Sequence, residues 1–132
     1  MIDAQLAHLN HDLWLEDSFV TGLSLDAKQL SLNGEWVDHN RLETEGRRIW
    51  LSGQIIISGI EQVELTGHAN PFCDKDGELI LGSPNLWTDK DRLNVELDGL
   101  RISLSGTQLS VSYELGDVIE VGPVLGNQHI RP

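Results

Sequence analysis

Residues 48–65, Arg-Ile-Trp-Leu-Ser-Gly-Gln-Ile-Ile-Ile-Ser-Gly-Ile-Glu-Gln-Val-Glu-Leu, form the most apolar and most strongly β-patterned stretch of this chain. Apolar side chains recur at alternate positions along one face, and Trp50 and Ile56 add apolar groups to the other face. Because apolar residues on both faces are typical of a strand covered on both sides, this run is predicted to contain the central strand of the fold. Gly53 interrupts the run and predicts a bulge or bend where another backbone comes close.

The segments around this central run also alternate with the period of two that is typical of strands. Within its C-terminal end, Val63 and Leu65 are separated by polar residues, which predicts a strand with one solvent-exposed face. Before the run, residues 19–36 alternate around a turn at 26–29 and predict a β-hairpin. The polar segment 38–46 is predicted to be a loop or a short edge strand.

The second half of the chain predicts further short strands separated by turns and by two long connections. The strands are predicted at 79–81, 93–97, 100–104, 109–113 and 118–124. A tight turn at 105–107 predicts a hairpin between the third and fourth of these strands. The long connections are 67–77 and 83–91, and the second one places Trp87 in a loop. Residues 126–132 are predicted to fray.

One helix is predicted, at the start of the chain. Apolar residues recur there at spacings of three and four, at Ile2, Leu6, Leu9 and Leu13. Asp3 is a suitable N-cap, so a short amphipathic helix that ends near Asn10 is expected. About eight short strands with this helix predict an all-β, mainly antiparallel fold, either a sandwich or a partly open barrel. The chain length of 132 residues predicts a single domain, 1–132.

The acidic balance of the chain narrows the classes of partner. Its 21 Asp and Glu residues outnumber its 9 Lys and Arg residues, which gives a formal net charge of −12. Proteins that bind nucleic acid cluster Lys and Arg on their surface, so nucleic acid is not expected as a partner. A surface of this charge can serve solubility alone, or it can steer the protein towards a basic protein partner.

The composition also predicts a cytoplasmic location. No apolar run approaches the length of about 20 residues that spans a bilayer, so no membrane partner is expected. The first residues lack a basic segment followed by an apolar one, which argues against a secretory signal. A single cysteine, Cys73, excludes an intramolecular disulfide and fits a reducing compartment.

No motif with a catalytic or metal-binding mechanism is found in the sequence. The histidines are scattered, and neither a nucleophile motif nor a glycine-rich phosphate-binding motif occurs. Residues 74–78, Asp-Lys-Asp-Gly-Glu, resemble part of a calcium-binding loop. The first and last ligand positions of such a loop would hold Phe72 and Ser83, so a simple turn is predicted. We therefore expect no catalytic residue, no metal site, no cofactor and no enzyme activity.

Tryptophan is unusually frequent among the aromatic residues, with four Trp beside one Tyr and two Phe. Trp36 shares its parity with the apolar residues of the predicted hairpin and is expected in the core. Trp50 and Trp87 are the candidates for an exposed recognition surface, and acidic side chains at Asp89 and Asp91 follow Trp87. These four residues, Trp87, Trp50, Asp89 and Asp91, are the predicted binding residues, although core packing is the ordinary use of tryptophan.

Two short segments resemble a group of small β-rich bacterial proteins that includes immunity proteins of polymorphic toxin systems. They are Leu-Glu-Asp-Ser-Phe-Val at 15–20, where a short Asp-Ser or Asp-Ala step opens a strand, and Ile-Ser-Gly-Ile-Glu-Gln-Val-Glu-Leu at 57–65. The layout is similar over residues 13–113, and Glu16 stands where the group often has His. The resemblance implies a β-rich fold and a toxin as partner, and it assigns no functional residues.

Two classes of function follow from these observations. The leading prediction is a non-enzymatic protein-interaction domain, an immunity-type inhibitor that covers a basic toxin or another basic protein with its acidic surface and a Trp87 anchor. The alternative is a small-ligand or carbohydrate-binding β-sandwich module with Trp50 and Trp87 on one face. The oligomeric state is left open, since exposed edge strands could also pair two copies into a dimer.

Overall fold

The computed structural model describes residues 2–26 and 28–125. Within these residues the chain forms α1 (Ile2–Asp12), β1 (Leu13–Leu25), β2 (Gln29–Asp38), α2 (His39–Glu45), β3 (Arg47–Ser58), β4 (Gln62–Gly67), β5 (Phe72–Cys73), β6 (Leu79–Ile80), β7 (Pro84–Asp89), β8 (Arg92–Leu97), β9 (Leu100–Ser105) and β10 (Ser110–Val124). The predicted all-β, antiparallel fold with an N-terminal helix is confirmed, with longer strands than expected. The predicted fraying of 126–132 lies outside the described residues.

The strands form two antiparallel four-stranded sheets and a small hairpin. Sheet A has the order β1-β2-β3-β10, sheet B has the order β4-β9-β8-β7, and β5 pairs with β6. The inner faces of both sheets and the apolar side of α1 share one core. Its fully enclosed members include Leu9, Leu30, Leu32, Trp36, Ile55, Ile57, Leu93, Val95 and Leu104. The core position predicted for Trp36 is therefore confirmed.

The central position predicted for residues 48–58 is confirmed, because β3 lies between β2 and β10. A Cβ atom at Gly53 would lie 2.3 Å from the backbone oxygen of Glu114, so the close backbone approach expected there is present. The chain leaves this strand after Ser58, and β4 joins the other sheet. All six residues of β4 are exposed, which contradicts the predicted half-buried strand. β4 is an edge strand of sheet B, so a neighbouring strand covers it on one side only.

The segment 38–46, predicted as a loop or an edge strand, forms helix α2 instead. Asp38 caps its first turn by accepting the backbone N–H of Arg41 at 3.2 Å, and Gly46 in the left-handed conformation ends it. These two residues are ordinary helix boundary signals. The helix has no buried residue, and this explains why no apolar periodicity predicted it.

The strands differ from the prediction at four further places. β1 begins at Leu13, which continues the apolar spacing of α1 but belongs to the strand. Residues 84–89, predicted to lie in a long connection, form β7, so Trp87 lies on a strand and not in a loop. The predicted hairpin across 105–107 is wrong, because β9 belongs to sheet B and β10 to sheet A. The two strands predicted at 109–113 and 118–124 are one strand, β10.

Among the described residues, neither helix is long and apolar enough to cross a membrane.

Candidate acidic pocket

A cavity of about 360 Å³ lies between the outer face of sheet A and the β5–β6 hairpin. Three aromatic side chains and five carboxylates line it, together with one lysine and one isoleucine. These residues, called the acidic pocket below, are Phe19, Glu35, Trp50, Phe72, Asp74, Lys75, Asp76, Glu78, Ile80 and Glu120. The pocket is the feature of the fold that concentrates the negative charge of the chain beside aromatic rings.

Strand pairing in sheet A builds the floor of the pocket. Phe19 of β1 stands opposite Glu35 of β2, and Trp50 of β3 stands opposite Glu120 of β10. These positions alternate with the core residues of their strands, so their side chains lie on the outer face. Each of the four strands of sheet A thus contributes one aromatic or acidic side chain to the same surface.

The β5–β6 hairpin forms the other wall and is attached to the edge of sheet A. The backbone N–H of Leu81 donates to the Val20 carbonyl at 2.8 Å, and the N–H of Val20 donates to the Gly82 carbonyl at 2.9 Å. These two hydrogen bonds bridge the segment after β6 to β1. The hairpin therefore has a fixed position beside Phe19.

The turn of this hairpin brings its carboxylates together. Oδ1 of Asp74 accepts the backbone N–H groups of Asp76 and Glu78, both at 2.9 Å, and Gly77 supports the turn with a φ of 81°. The turn predicted at 74–78 is confirmed. An Asp side chain that satisfies its own turn is a common arrangement. It leaves the second oxygen of Asp74 and the carboxylates of Asp76 and Glu78 available to the pocket.

A hydrogen bond and close packing fix the orientation of the Trp50 side chain. Its indole Nε1 donates to the Asp17 carbonyl oxygen at 3.1 Å, and the Arg48 guanidinium pairs with the Asp17 carboxylate at 2.7 Å. Gly122 of β10 packs beside the ring, since a Cβ atom there would lie 3.3 Å from Cζ3 of Trp50. Trp50 is thus half-buried with its polar group satisfied, and its ring is held in the pocket wall.

The charges of the pocket are not balanced within the described residues. Burial, together with the nearby carboxylates of Glu78, Glu120 and Asp74, raises the pKa of Glu35 above its ordinary value. Lys75 is the one cation among the lining residues that the structure describes, and no described ion pair involves Glu35, Glu78 or Glu120. A cation that entered the pocket would relieve this repulsion.

The composition of the pocket favours an organic cation over a metal ion. In the described part of the chain, no three His, Cys, Asp or Glu side chains converge closely enough to hold a metal ion. Aromatic rings beside carboxylates suit guanidinium and ammonium groups, which make cation–π contacts and charge-assisted hydrogen bonds at once. Arginine fits such a site especially well because its planar group can stack on a ring while its N–H groups reach carboxylates.

The other predicted binding residues lie elsewhere. Trp87 is on the outer face of sheet B, where the Arg101 guanidinium lies 5.2 Å from the ring centroid and pairs with Glu96 at 3.2 Å. Asp89 ends β7 on that sheet, and Asp91 lies in the turn that leads to β8. Trp50 and Trp87 belong to different sheets, so the structure does not bring them together on one face, and the sugar-binding alternative stays a prediction.

Sequence reasoning identified Trp50 but missed its companions in the pocket. Phe19 and Glu35 fall within the predicted hairpin 19–36, and nothing in the sequence indicates that both face a second hairpin formed much later in the chain. Glu120 reaches Trp50 only through the pairing of β10 with β3. The one sequence signal for the pocket was the cluster of acidic residues that follows Phe72. A turn at 74–78 accounted for these residues, so they were not considered as part of a site.

Comparison of this chain with protein-family models, curated proteins and solved structures gave no match. The resemblance of residues 15–20 and 57–65 to immunity proteins therefore stays a prediction, and the pocket is interpreted from its own chemistry.

Proposed function

We propose that this chain is a non-enzymatic protein-interaction domain that binds a basic protein, as an immunity-type inhibitor of a basic toxin does. The observation that carries the proposal is the acidic pocket, in which Trp50 and Glu35 stand beside further carboxylates without a described ion-pair partner. An arginine or lysine side chain of the partner would enter the pocket and serve as the anchor of the interface.

The overall charge supports the same proposal. With a net charge of −12, the protein would attract a basic partner over a distance and speed the encounter. The aromatic wall would then contribute affinity at short range, because a desolvated cation–π contact is worth about 2 kcal/mol. Long-range charge and a short-range anchor thus act on the same partner chemistry.

A cytoplasmic location is part of the proposal. Cys73 is exposed and unpaired beside the pocket, and a free surface thiol suits a reducing compartment. A toxin that acts inside the cell would be met there.

The anchor is tested with isotopically labelled protein and a pair of short peptides that differ in one residue. One peptide carries a central arginine, and the other carries citrulline, which has nearly the same shape without the charge. We expect the arginine peptide to shift the indole N–H resonance of Trp50 and the backbone resonances around Glu35. The citrulline peptide should leave them in place, and the Trp87 indole serves as an internal control on the other sheet.

Salt adds a second criterion, because binding to an acidic surface weakens as ionic strength rises. We expect the affinity for the arginine peptide to fall by about tenfold between low and high salt. Equal binding of both peptides, or shifts centred on Trp87, would contradict the proposal. A pull-down from the source organism at low salt, with release at high salt, would then identify the natural partner.

A further inference from the structure

Strand β10 is an edge strand of sheet A whose two halves differ in how their free edge is covered. Along 110–113, helix α1 lies against it: the Gln5 side-chain oxygen accepts the Val111 N–H at 2.7 Å, and the Tyr113 hydroxyl donates to the Asp12 carboxylate. Along 114–124, no described strand pairs with β10 on the side away from β3. The second half therefore presents unpaired backbone groups, except at Pro123, which has no N–H.

The side chains of this open half form two rows of different chemistry. Leu115, Val118, Val121 and Val124 pair with inner-face positions of β3, and all four are at least 40% exposed. Glu114 and Glu120 pair with outer-face positions of β3 and are exposed acids. The edge thus carries an apolar row on one face and an acidic row on the other.

We propose that a segment of the basic partner adds to this edge as an extra strand along 114–124, with apolar residues alternating with basic ones. This proposal rests on the proposed function and specifies how the partner binds. Its backbone would pair with the free groups of β10, its apolar residues would cover the row that includes Val118 and Val121, and its basic residues would face Glu114 and Glu120.

The edge and the acidic pocket are continuous, which supports a single partner segment for both. Glu120 belongs to the open half of β10 and also lines the pocket opposite Trp50. A basic residue of the added strand that faces Glu120 is therefore next to the pocket mouth. The same segment can supply both the strand and the cation.

Charge argues against a second copy of this chain as the occupant. The open half contains Glu114, Asp117 and Glu120 and no basic residue. Two copies paired through this edge would bring their carboxylates together, and like charges opposite each other destabilise a strand pair. A basic segment meets the opposite condition.

The test compares three probes on the full chain: an extended peptide of alternating valine and threonine with a central arginine, the same peptide N-methylated on the amides of one edge, and arginine amide. N-methylation removes backbone donors and leaves the arginine intact. We expect the unmodified peptide to bind at least about tenfold more tightly than the N-methylated one. It should also shift backbone amide resonances along 114–124.

Each outcome separates the two proposals. If both peptides bind equally and shift only the pocket, strand addition is wrong and the proposed function stands. If arginine amide and both peptides leave the pocket resonances unchanged, the proposed function is wrong and this inference falls with it. Shifts of β4 instead of β10 would also overturn the assignment, because β4 is the exposed edge of the other sheet.

A pair of variants provides an independent check. Val121→Lys places a positive charge in the exposed apolar row of β10, and Val63→Lys places the same charge on the edge strand β4. Val121→Lys should lower the affinity for the unmodified extended peptide by about tenfold. Val63→Lys should change this affinity by less than about twofold. Equal effects of the two variants would contradict the β10 assignment. Circular dichroism of both proteins confirms that each is folded.

Discussion

The outer faces of the two sheets contain the same kinds of side chain in different states of pairing. On sheet B, Arg101 lies over the Trp87 ring and pairs with Glu96. Arg92 on the same face pairs with Glu64 at 2.8 Å. On sheet A, Trp50 stands opposite Glu120 and near Glu35, without a described arginine or lysine paired to either carboxylate.

This difference shows that a tryptophan and carboxylates can either hold a cation from the same chain, as on sheet B, or stand without one, as in the acidic pocket. Sheet B contains within itself the contact of guanidinium, indole and carboxylate that the acidic pocket lacks. The pKa of Glu35 is raised because its pocket holds carboxylates without enough cations. The arrangement around Trp87 therefore indicates what the pocket around Trp50 would bind.

Replacing the two tryptophans separately gives the largest expected contrast. Trp50→Ala should abolish detectable binding of the arginine peptide and lower the free energy of unfolding by about 2 kcal/mol, since the ring is half-buried and bonded to Asp17. Trp87→Ala should leave the affinity within about twofold of the unmodified protein. Titration calorimetry measures the affinity, and urea unfolding measures the free energy of unfolding. Loss of binding in both variants would contradict the assignment of the binding site to the outer face of sheet A.

Removing the internal cation of sheet B should make its face resemble that of sheet A. Arg101→Gln breaks the contact with Trp87 and the ion pair with Glu96, so the free energy of unfolding should fall by about 1 kcal/mol. The freed Trp87 indole should then respond to the arginine peptide in a resonance titration. An unresponsive Trp87 in this variant would mean that ring and carboxylate are insufficient to bind a cation.

Neutralising Glu35 should raise the free energy of unfolding and lower the affinity for the arginine peptide. Because its pKa is raised in the folded protein, ionised Glu35 opposes folding, and the stabilisation from its protonated form is lost as pH rises through that pKa. Glu35→Gln should raise the free energy of unfolding by about 0.5 kcal/mol at neutral pH, a small gain because solvent screens the site.

The same variant has a pH signature. Its gain in stability should vanish below about pH 4, where Glu35 is protonated in both folded and unfolded chains. Its affinity for the arginine peptide should fall at neutral pH. Urea unfolding across a pH series measures the first effect, and a gain that persisted in acid would assign the stabilisation to another cause.

The smallest effect is expected at the exposed ion pair of sheet B. Glu64→Gln removes the partner of Arg92, and an exposed pair of this kind contributes about 0.5 kcal/mol or less. The affinity for the arginine peptide should not change. A larger loss in thermal unfolding would show that the charges of sheet B act as a network.

Local sequence patterns predicted the parts of the fold in which neighbouring residues determine the outcome. The alternation around Trp36 and Ile57 identified the central strands, and Gly53 predicted the close approach of another backbone, which the structure shows to be that of β10. Such patterns reveal which residues share a face, because side chains alternate along a strand. They do not reveal which sheet a strand joins, and the separation of β9 from β10 was missed for this reason.

The acidic pocket lay beyond prediction because long-range pairing assembles it. Trp50 meets Glu120 through β10, and Phe72 reaches the same cavity through a separate hairpin. The strand that carries Trp87 was missed for a local reason, since Ser83, Pro84 and Asn85 at its start are turn-forming residues. The candidate tryptophans were thus found by composition, while their surroundings depended on the tertiary fold.

The hydrogen bonds between α1 and β10 also constrain the order in which the protein can fold. Gln5 and Val111 lie 106 positions apart, so α1 can reach its partner only after the chain as far as β10 has been synthesised. An isolated helix of 11 residues is marginal in water, and contacts of such long separation form slowly. Helix α1 is therefore synthesised well before β10, and we expect it to become ordered only after that strand is in place.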